Sequence, residues 1–480
     1  MDYVTPPEYR IDLIFPRSRF NSELEDTLLL LSSEMVRLGT LPKKEFEEKI
    51  DDYLTKLYGG RFVAKTIANK RTEMIRLYGL AKYEEDTVIV GNRTLLLVQN
   101  QDVSRFFKSV CNKFQYPNFI NKIQIVEQYV EAGIKFKPAQ YLIKLLRAGK
   151  EKTGKTFAVT ANEIAHLVFN DTRVTVEQED PAIRIEKFIE LRKKDILCDG
   201  TSDVIRYARD FLKFMVMANL MVSHKRRYFL NEQEKRALDF IENDDTFFED
   251  FDLAKQGIIV ERDDIRDVEE DWLSYYADAD FYEEEALKTT IASFEKATVE
   301  ITNENNETEI VTTGYELPEE VIEAIEEQKQ TTKEIGDEGE AIVYSIEKER
   351  VTRERPDLLG LVRIVSNDTS LGFDIQSVFD TGLKKFIEVK TTKRNFVPED
   401  FKIFSYFNIS YNEWSTAQQH GDNYFIARVI IAKEKYSVFI IQNPYKQHED
   451  GKIDIYPIEY RLIYNEDAGE YLVKNKIYIN

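Results

Sequence analysis

Between Glu242 and Ile335 the chain carries 30 acidic and 7 basic side chains, net −23. The excess acidity of the chain is concentrated in this one segment. The 480 residues together are net −21, which leaves 59 basic against 57 acidic side chains outside the segment. At roughly 100–200 residues per domain the length allows two to four domains. The expected division is a region 1–241, a partly helical acidic linker region 242–335, and a region 336–480. The overall acidity would speak against a nucleic-acid partner, but the near-neutral flanks remove that objection.

Other classes fall away on composition. No run approaches the roughly 20 apolar residues of a membrane helix, and Met1 to Phe20 lacks the uninterrupted apolar stretch of a signal peptide. A soluble, cytoplasmic protein with no membrane partner is expected. Cys111 and Cys198 are too few and too distant for a disulfide framework or a thiolate zinc site, and His166, His224, His420 and His448 show no ligand spacing. A metal here would be held by oxygen. The 42% hydrophobic content, with 12% aromatics, is that of a folded chain.

Residues 21–245 read as mostly helical with short strand signals. Arg71 to Ala81 has the apolar spacing of an amphipathic helix, and Thr87 to Val98 reads as a hairpin turning at Gly91-Asn92. Helix then hairpin is the winged-helix pattern. A second unit begins at Lys137–Gly149, with Thr156–Val159 as a strand and Thr160 and Glu163 as a capping box on a helix Ala161–Phe169. A third runs through Tyr207–Met221, the strand-like Arg227–Leu230, and Asn231 capping Glu232–Ile241. The acidic segment keeps Trp272, Tyr275, Tyr276, Phe281 and Tyr282, too many aromatics for a purely solvating tail; Thr298–Tyr315 reads as a domain boundary and Leu317–Glu327 as a polar helix.

Residues 61–155 hold 18 Lys and Arg against 8 Asp and Glu, with aromatic residues interleaved. A basic face of this kind suits phosphate contacts. Arg71, Arg76, Arg93, Lys152 and Lys155 are the candidate DNA-contacting residues. Gly149 to Thr156 matches the letters of a P-loop, whose backbone N–H groups wrap phosphates between a strand and a helix. Here a helix precedes and a strand follows, so the context is inverted and nucleotide hydrolysis is not expected.

The last 145 residues carry the chemistry. Gly336-Asp-Glu-Gly-Glu340 opens a helix with Ile342, Val343 and Ile346 on its apolar side. Two strands follow, Leu371–Val378 and, after an Asp380-Thr-Gly382 turn, Phe386–Thr392. Alternate strand residues share a face, so Glu388 and Lys390 project together while Ile387 and Val389 enter the core. Pairing of the strands as a hairpin would stand Asp374 beside them. Neighbouring carboxylates repel and so favour a divalent cation, and oxygen ligands suit Mg²⁺, or Mn²⁺ in its place. Lys390 can orient or help deprotonate an attacking water and stabilise the charge of a phosphorane. An ordinary Glu/Lys pair on a sheet would show the same three letters; Asp374 and the helix-borne Glu340 make the pattern specific.

Four motifs occur in order over residues 330–450: Glu340 in Gly-Asp-Glu-Gly-Glu, Asp374 in Gly-Phe-Asp-Ile-Gln-Ser, Glu388-Val-Lys390-Thr-Thr, and Ile409-Ser-Tyr-Asn-Glu-Trp414-Ser-Thr-Ala. Together they resemble the protein NO VEIN C-terminal domain family, one of the PD-(D/E)xK restriction-endonuclease-like nucleases. That resemblance implies an αβββαβ core, Asp374 and Glu388 as metal ligands, Lys390 as the catalytic lysine and Glu340 as a helix-borne acidic residue. Phe373 stands where the superfamily's name has proline. Ser410 and Glu413 read as a capping box, and Trp414 as core. The front half resembles the recognition region of type IIS restriction endonucleases, through Ile14-Phe-Pro-Arg-Ser and Val159-Thr-Ala-Asn-Glu-Ile-Ala.

The fold expected is therefore multidomain: a mainly α winged-helix N-terminal half and an α/β restriction-endonuclease-like C-terminal domain with a mixed sheet. The function expected is a Mg²⁺-dependent, site-specific DNA endonuclease of restriction type, type IIS-like, that cuts double-stranded DNA at an offset from its site and serves anti-phage defence. One catalytic centre per chain implies a transient homodimer, or two successive events, for a double-strand break. A cognate methyltransferase is the expected partner in restriction-modification. A modification-dependent defence nuclease, a junction-resolving or repair nuclease, and a DNA-binding regulator with a degenerate nuclease fold are the alternatives.

Overall fold

The computed structural model describes residues 2–16, 22–201, 204–251, 262–279, 281–294, 296–302, 307–314, 316, 336–366, 368, 371–394, 405–432, 435–456, 461–464 and 469–477. The polar helix expected at Leu317–Glu327, and Arg17-Ser18 of the N-terminal motif, lie outside these residues. No helix among the described residues is long and apolar enough to cross a membrane.

The N-terminal half is built on helices whose apolar residues recur at three- and four-residue spacing. In Val204–Met217 the buried side chains Ile205, Ala208, Phe211, Leu212 and Met215 form such a stripe. The helix stops where Asn219 turns left-handed at φ 59°. A hairpin, Met221–His224 with Arg227–Leu230, follows it. The helix Ala64–Tyr78 likewise precedes a hairpin, Ala81–Glu84 with Thr87–Val90. Gly79 between them has φ 59°, and a Cβ there would stand 2.7 Å from the Arg93 guanidinium and 2.8 Å from the Tyr276 carbonyl. Glycine is required twice over, for conformation and for space.

Two expectations need correction. The first hairpin turns at Glu85-Asp86, with Glu85 at φ 52°, whereas Gly91 is the N-cap residue of a helix Asn92–Asn100. The second expected unit has no wing of its own. Its Thr156–Phe157 pairs in parallel with Ala297–Thr302, and its Val159–Thr160 pairs with Arg227–Leu230 of the third unit. The capping box of Thr160 and Glu163 forms as expected, and Asn231 accepts from the Gln233 N–H. Around Gly149–Thr156 the helix Pro138–Thr153 ends at Gly154 with φ 72° and the strand comes after, so the inverted context stands.

The described part of the acidic segment packs onto this half. Phe248, Phe251, Ile265, Trp272, Leu273, Tyr276 and Leu287 belong to the same core as Tyr78, Phe107 and Phe214. Trp272 is fully buried, stacked on Tyr276 at 4.7 Å and edge-on to Phe119 at 6.0 Å. Acidic side chains around these aromatics meet the basic stretch: Glu269 pairs with Arg76 at 2.6 Å, Asp244 with Lys137 at 3.0 Å, Glu283 with Lys113 at 3.6 Å, Asp245 with Lys144 at 3.7 Å and Glu242 with Arg147. Thr298–Tyr315, read as a boundary, carries a hairpin of Ala297–Thr302 with Thr308–Thr313.

The C-terminal region starts with the helix Gly336–Glu354 and a six-stranded mixed sheet. Strand order across the sheet is Arg363–Ile364, Ile375–Val378, Lys384–Lys393, Tyr424–Ala432, Lys435–Gln442 and Glu470–Ile477; Lys384–Lys393 and Tyr424–Ala432 run parallel, the other neighbours antiparallel. The helix Tyr411–His420 connects the parallel pair from the opposite face, capped by Ser410 and Glu413. Ile387 and Val389 pack with Ile342 and Val343 of the long helix, while Trp414 packs with Ile426 and Ile430 on the other side. Gly339 lets the long helix reach the sheet, since a Cβ there would fall 1.8 Å from the Thr391 hydroxyl.

If the aromatic residues of the acidic segment are structural parts of the N-terminal half, Trp272→Ala should cost about 3–5 kcal/mol, the usual loss for a buried large aromatic. Urea unfolding followed by far-UV circular dichroism reads this directly, and a loss within about 1 kcal/mol of zero would show the segment to be dispensable to that core.

Candidate active site

The strand Lys384–Lys393 places the site. Ile375 lies opposite Ile387 in the antiparallel hairpin, so Asp374, just before its strand, falls opposite Glu388. The Asp374 N–H donates to the Ile387 carbonyl at 2.9 Å, and the Val389 N–H donates to the Asp374 carboxylate at 2.7 Å. These two bonds fix the carboxylate beside the strand. Glu388 and Lys390 project from one face, with the Lys390 ammonium 2.6 Å from the Glu388 carboxylate. From the helix opposite, Glu413 reaches the same ammonium at 2.8 Å while keeping its capping bond to the Ser410 N–H at 3.0 Å. Glu340, buried on the long helix, accepts a 2.6 Å bond from Ser366.

Charge is stored in this arrangement. Burial, then the neighbouring Glu340 charge, pushes the Asp374 carboxyl up to about 7. Burial raises Glu388 well above the usual carboxylate range, with Asp374 and Glu413 adding repulsion and Lys390 opposing it. Burial alone would lower Lys390, but Glu388 and Glu413 outweigh it and hold the ammonium above its ordinary value. Burial likewise opposes ionisation of Glu413, and Lys390 overrides it and holds that carboxyl low.

Among the described residues no group of three or more His, Cys, Asp or Glu side chains is arranged to enclose a metal ion. Two converging buried carboxylates would instead suit a cation that keeps much of its water. Mg²⁺ is commonly held by one or two carboxylates, with water and phosphate oxygens completing its shell. Asp374 and Glu388 would fit that role, and a bound cation would favour their ionised forms against the burial that chiefly raises both carboxyls.

The four expected chemical residues thus meet at one corner of the sheet. Glu413 was read only as a helix cap, and no local signal reveals its second partner. The strand continues from this corner into the N-terminal half. The Lys393 N–H donates to the Gln101 carbonyl at 3.1 Å, the Thr392 hydroxyl and Arg428 both donate to the Gln101 side chain at 2.6 and 2.7 Å, and Lys393 pairs with Glu338 and donates to the Thr289 carbonyl.

The five candidate DNA-contacting residues do not form one surface. Arg93 is 1% exposed, bonded to Ser109 at 2.9 Å and set over the Tyr276 ring, and Arg71 is buried against Asp51 at 2.7 Å. Both guanidiniums serve the interior, which corrects their assignment. Arg76 pairs with Glu269 and donates to the Phe119 carbonyl. Lys152 is exposed, on Glu186 at 2.5 Å, and Lys155 is half-buried, on Thr308 at 2.8 Å.

A family model described as restriction endonuclease BpuJI, N terminal, matches residues 3–273, and one described as protein NO VEIN, C-terminal, matches residues 339–441. Among solved structures, a crystal structure of pyrene- and phenanthrene-modified DNA in complex with the BpuJ1 endonuclease binding domain is similar. It shares 25% identity and a TM-score of 0.51, over 57% of this chain and 99% of that one. No curated protein matches the chain. The two family matches fall where the two sequence resemblances lie.

A carboxyl raised in the folded state binds protons there that it releases on unfolding, so between its unfolded value near 4 and its folded value near 7 stability falls as pH rises. Asp374→Asn removes that penalty while keeping an acceptor for the Val389 N–H. In metal-free buffer at pH 8 the variant should be more stable than wild type by on the order of 2–4 kcal/mol, and the difference should vanish below about pH 4. Thermal unfolding across this range checks it; equal stability at pH 8 would contradict the buried, repelling carboxylates.

Proposed function

Because the chain belongs to the family of the restriction endonuclease BpuJI N-terminal region, we propose that it is a site-specific DNA endonuclease of restriction type. Its helical half would read duplex DNA, and residues 336–480 would cut it with the help of Mg²⁺. The observation that carries this reading is the convergence of Asp374, Glu388 and Lys390 on one strand pair, with Glu340 adjacent. Leaving aside Ser405–Asn408, which belongs to a separate sheet, the order of elements supports assignment to the PD-(D/E)xK nucleases: a helix, three antiparallel strands, a helix, then a strand parallel to the catalytic one. The two helix-hairpin units, each with a third strand, support a winged-helix reading of the N-terminal half.

The chemistry follows from the side chains. Asp374 and Glu388 would hold the divalent cation, which supplies positive charge to the reacting phosphate and acidity to nearby water. Lys390, clamped between Glu388 and Glu413, is a fixed cation. Its role in this geometry is to donate hydrogen bonds to the attacking water or to a phosphoryl oxygen, and to offset the charge that develops there. A lysine held so firmly protonated orients water better than it deprotonates it. Glu413 sets the direction of the ammonium, and the Val389 N–H keeps the Asp374 carboxylate from rotating away.

Separate reading and cutting regions imply cleavage offset from the recognised sequence, as in type IIS enzymes. A single catalytic corner per chain implies that a double-strand break needs a second copy or a second event, and a cutting activity implies a cognate methyltransferase to protect the host's sites. Plasmid DNA incubated with Mg²⁺ tests the reading. Lys390→Ala should lower the cleavage rate by about 100-fold or more, the scale of losing a charged transition-state donor, while leaving duplex binding in EDTA unchanged. Cleavage undiminished in the variant would remove Lys390 from the mechanism.

A further inference from the structure

We propose that the tip of the hairpin Met221–Leu230, together with Lys155, is a contact surface for the phosphates of duplex DNA, and that Glu309 occupies it when DNA is absent. The inference rests on the DNA-binding reading above and assigns residues to it. The hairpin carries His224-Lys-Arg-Arg227 at its tip. His224 pairs across the strands with Arg227, which leaves Lys225 and Arg226 as the two turn residues, at φ 48° and 67°. Both positions favour glycine or asparagine. Long basic side chains stand there in place of the residues that would suit the backbone.

The cationic groups converge on one carboxylate. His224 Nε2 lies 3.1 Å from Glu309 Oε1, the Lys225 ammonium meets the same oxygen, and Arg227 meets Oε2 at 2.7 Å. Three polar side chains from one hairpin, the Lys225 and Arg227 cations among them, are arranged about two oxygens and form a site that a phosphate group can fill with the same geometry. Lys155 extends it, with 2.8 Å to the Thr308 hydroxyl and 3.5 Å to Glu300. Glu300, Thr308 and Glu309 all belong to the hairpin Ala297–Thr313, in the stretch that leads toward the C-terminal region.

That covering hairpin is lightly held. Among the described residues its strand pairing to the N-terminal half joins Thr156 with Ile301 and Phe157 with Thr302, extended by the Ala158 N–H donating to the Thr302 carbonyl at 3.4 Å and backed by a small apolar cluster of Ala158, Phe229, Ile301 and Val311. The acidic partners of Arg76 and Lys113 sit instead beside fully buried aromatics in the main core. At the hairpin tip the Lys225 side chain is 65% exposed. A polyanion can therefore compete for these cations, where it cannot for Arg93.

The test is fluorescence anisotropy of the full-length chain on a random-sequence duplex in EDTA, over a range of NaCl concentrations. Glu309→Gln should tighten binding about 3- to 10-fold at low salt, because it frees the Lys225 and Arg227 cations for phosphate. Lys225→Ala with Arg227→Ala should weaken it about 10-fold and reduce the slope of log affinity against log salt by about 1–2. Lys225→Ala alone, at a solvent-exposed side chain, should weaken binding in the same direction and serves if the double variant does not fold. Wild-type affinity and slope in all these variants would overturn the surface and leave DNA binding standing. A wild-type chain that binds no duplex at low salt would overturn the DNA reading and this inference together.

Discussion

The alternation of one strand, Lys384–Lys393, is the constraint on which the rest depends. Its odd residues Ile387 and Val389 are packed against the long helix, and that burial leaves no freedom in where Glu388 and Lys390 point. A one-residue slip in register would reverse every side chain and place two charges in the apolar layer. Pairing on both sides, antiparallel to Ile375–Val378 and parallel to Tyr424–Ala432, removes that freedom. The far end of the same strand meets Gln101, Thr289 and Glu338. The element that carries the proposed chemistry thus also touches the N-terminal half.

The second determinant is the acidic segment. Its charge makes it look like a solvated spacer, yet Phe248, Phe251, Trp272 and Tyr276 are buried and many of its carboxylates sit on basic residues of the N-terminal half. Burying Trp272 and Tyr276 draws those carboxylates into place, and the pairs in turn neutralise a basic stretch that would otherwise attract any polyanion. The more exposed of these pairs, such as Glu269 with Arg76, contribute little to stability individually. Their larger effect is on which cations remain available to a phosphate, and that points away from Arg71 and Arg93 toward hairpin tips.

What could be read from the sequence was local. Strand alternation placed Glu388 beside Lys390, a short turn placed Asp374 opposite, and the Thr160–Glu163 and Ser410–Glu413 caps need only three-residue spacing. What could not be read was long-range or carried by unusual backbone. Arg93 reads as an exposed base because its partners, Ser109 and the Tyr276 ring, are distant in the chain. Gly91-Asn92 has turn composition, but the turn falls at Glu85-Asp86. The turn at Lys225-Arg226 is hidden because neither residue suits positive φ. Glu413 shows its cap in the sequence and its bond to Lys390 only in the fold.

The measurement that bears most directly on the central claim is sequencing of the DNA ends produced when the full-length chain acts on plasmid DNA with Mg²⁺. Discrete ends at a fixed offset from a common motif, lost when Mg²⁺ is chelated, are the result expected of a reader joined to the Asp374, Glu388 and Lys390 corner. Ends scattered without a motif, or intact plasmid under every divalent cation, would contradict it.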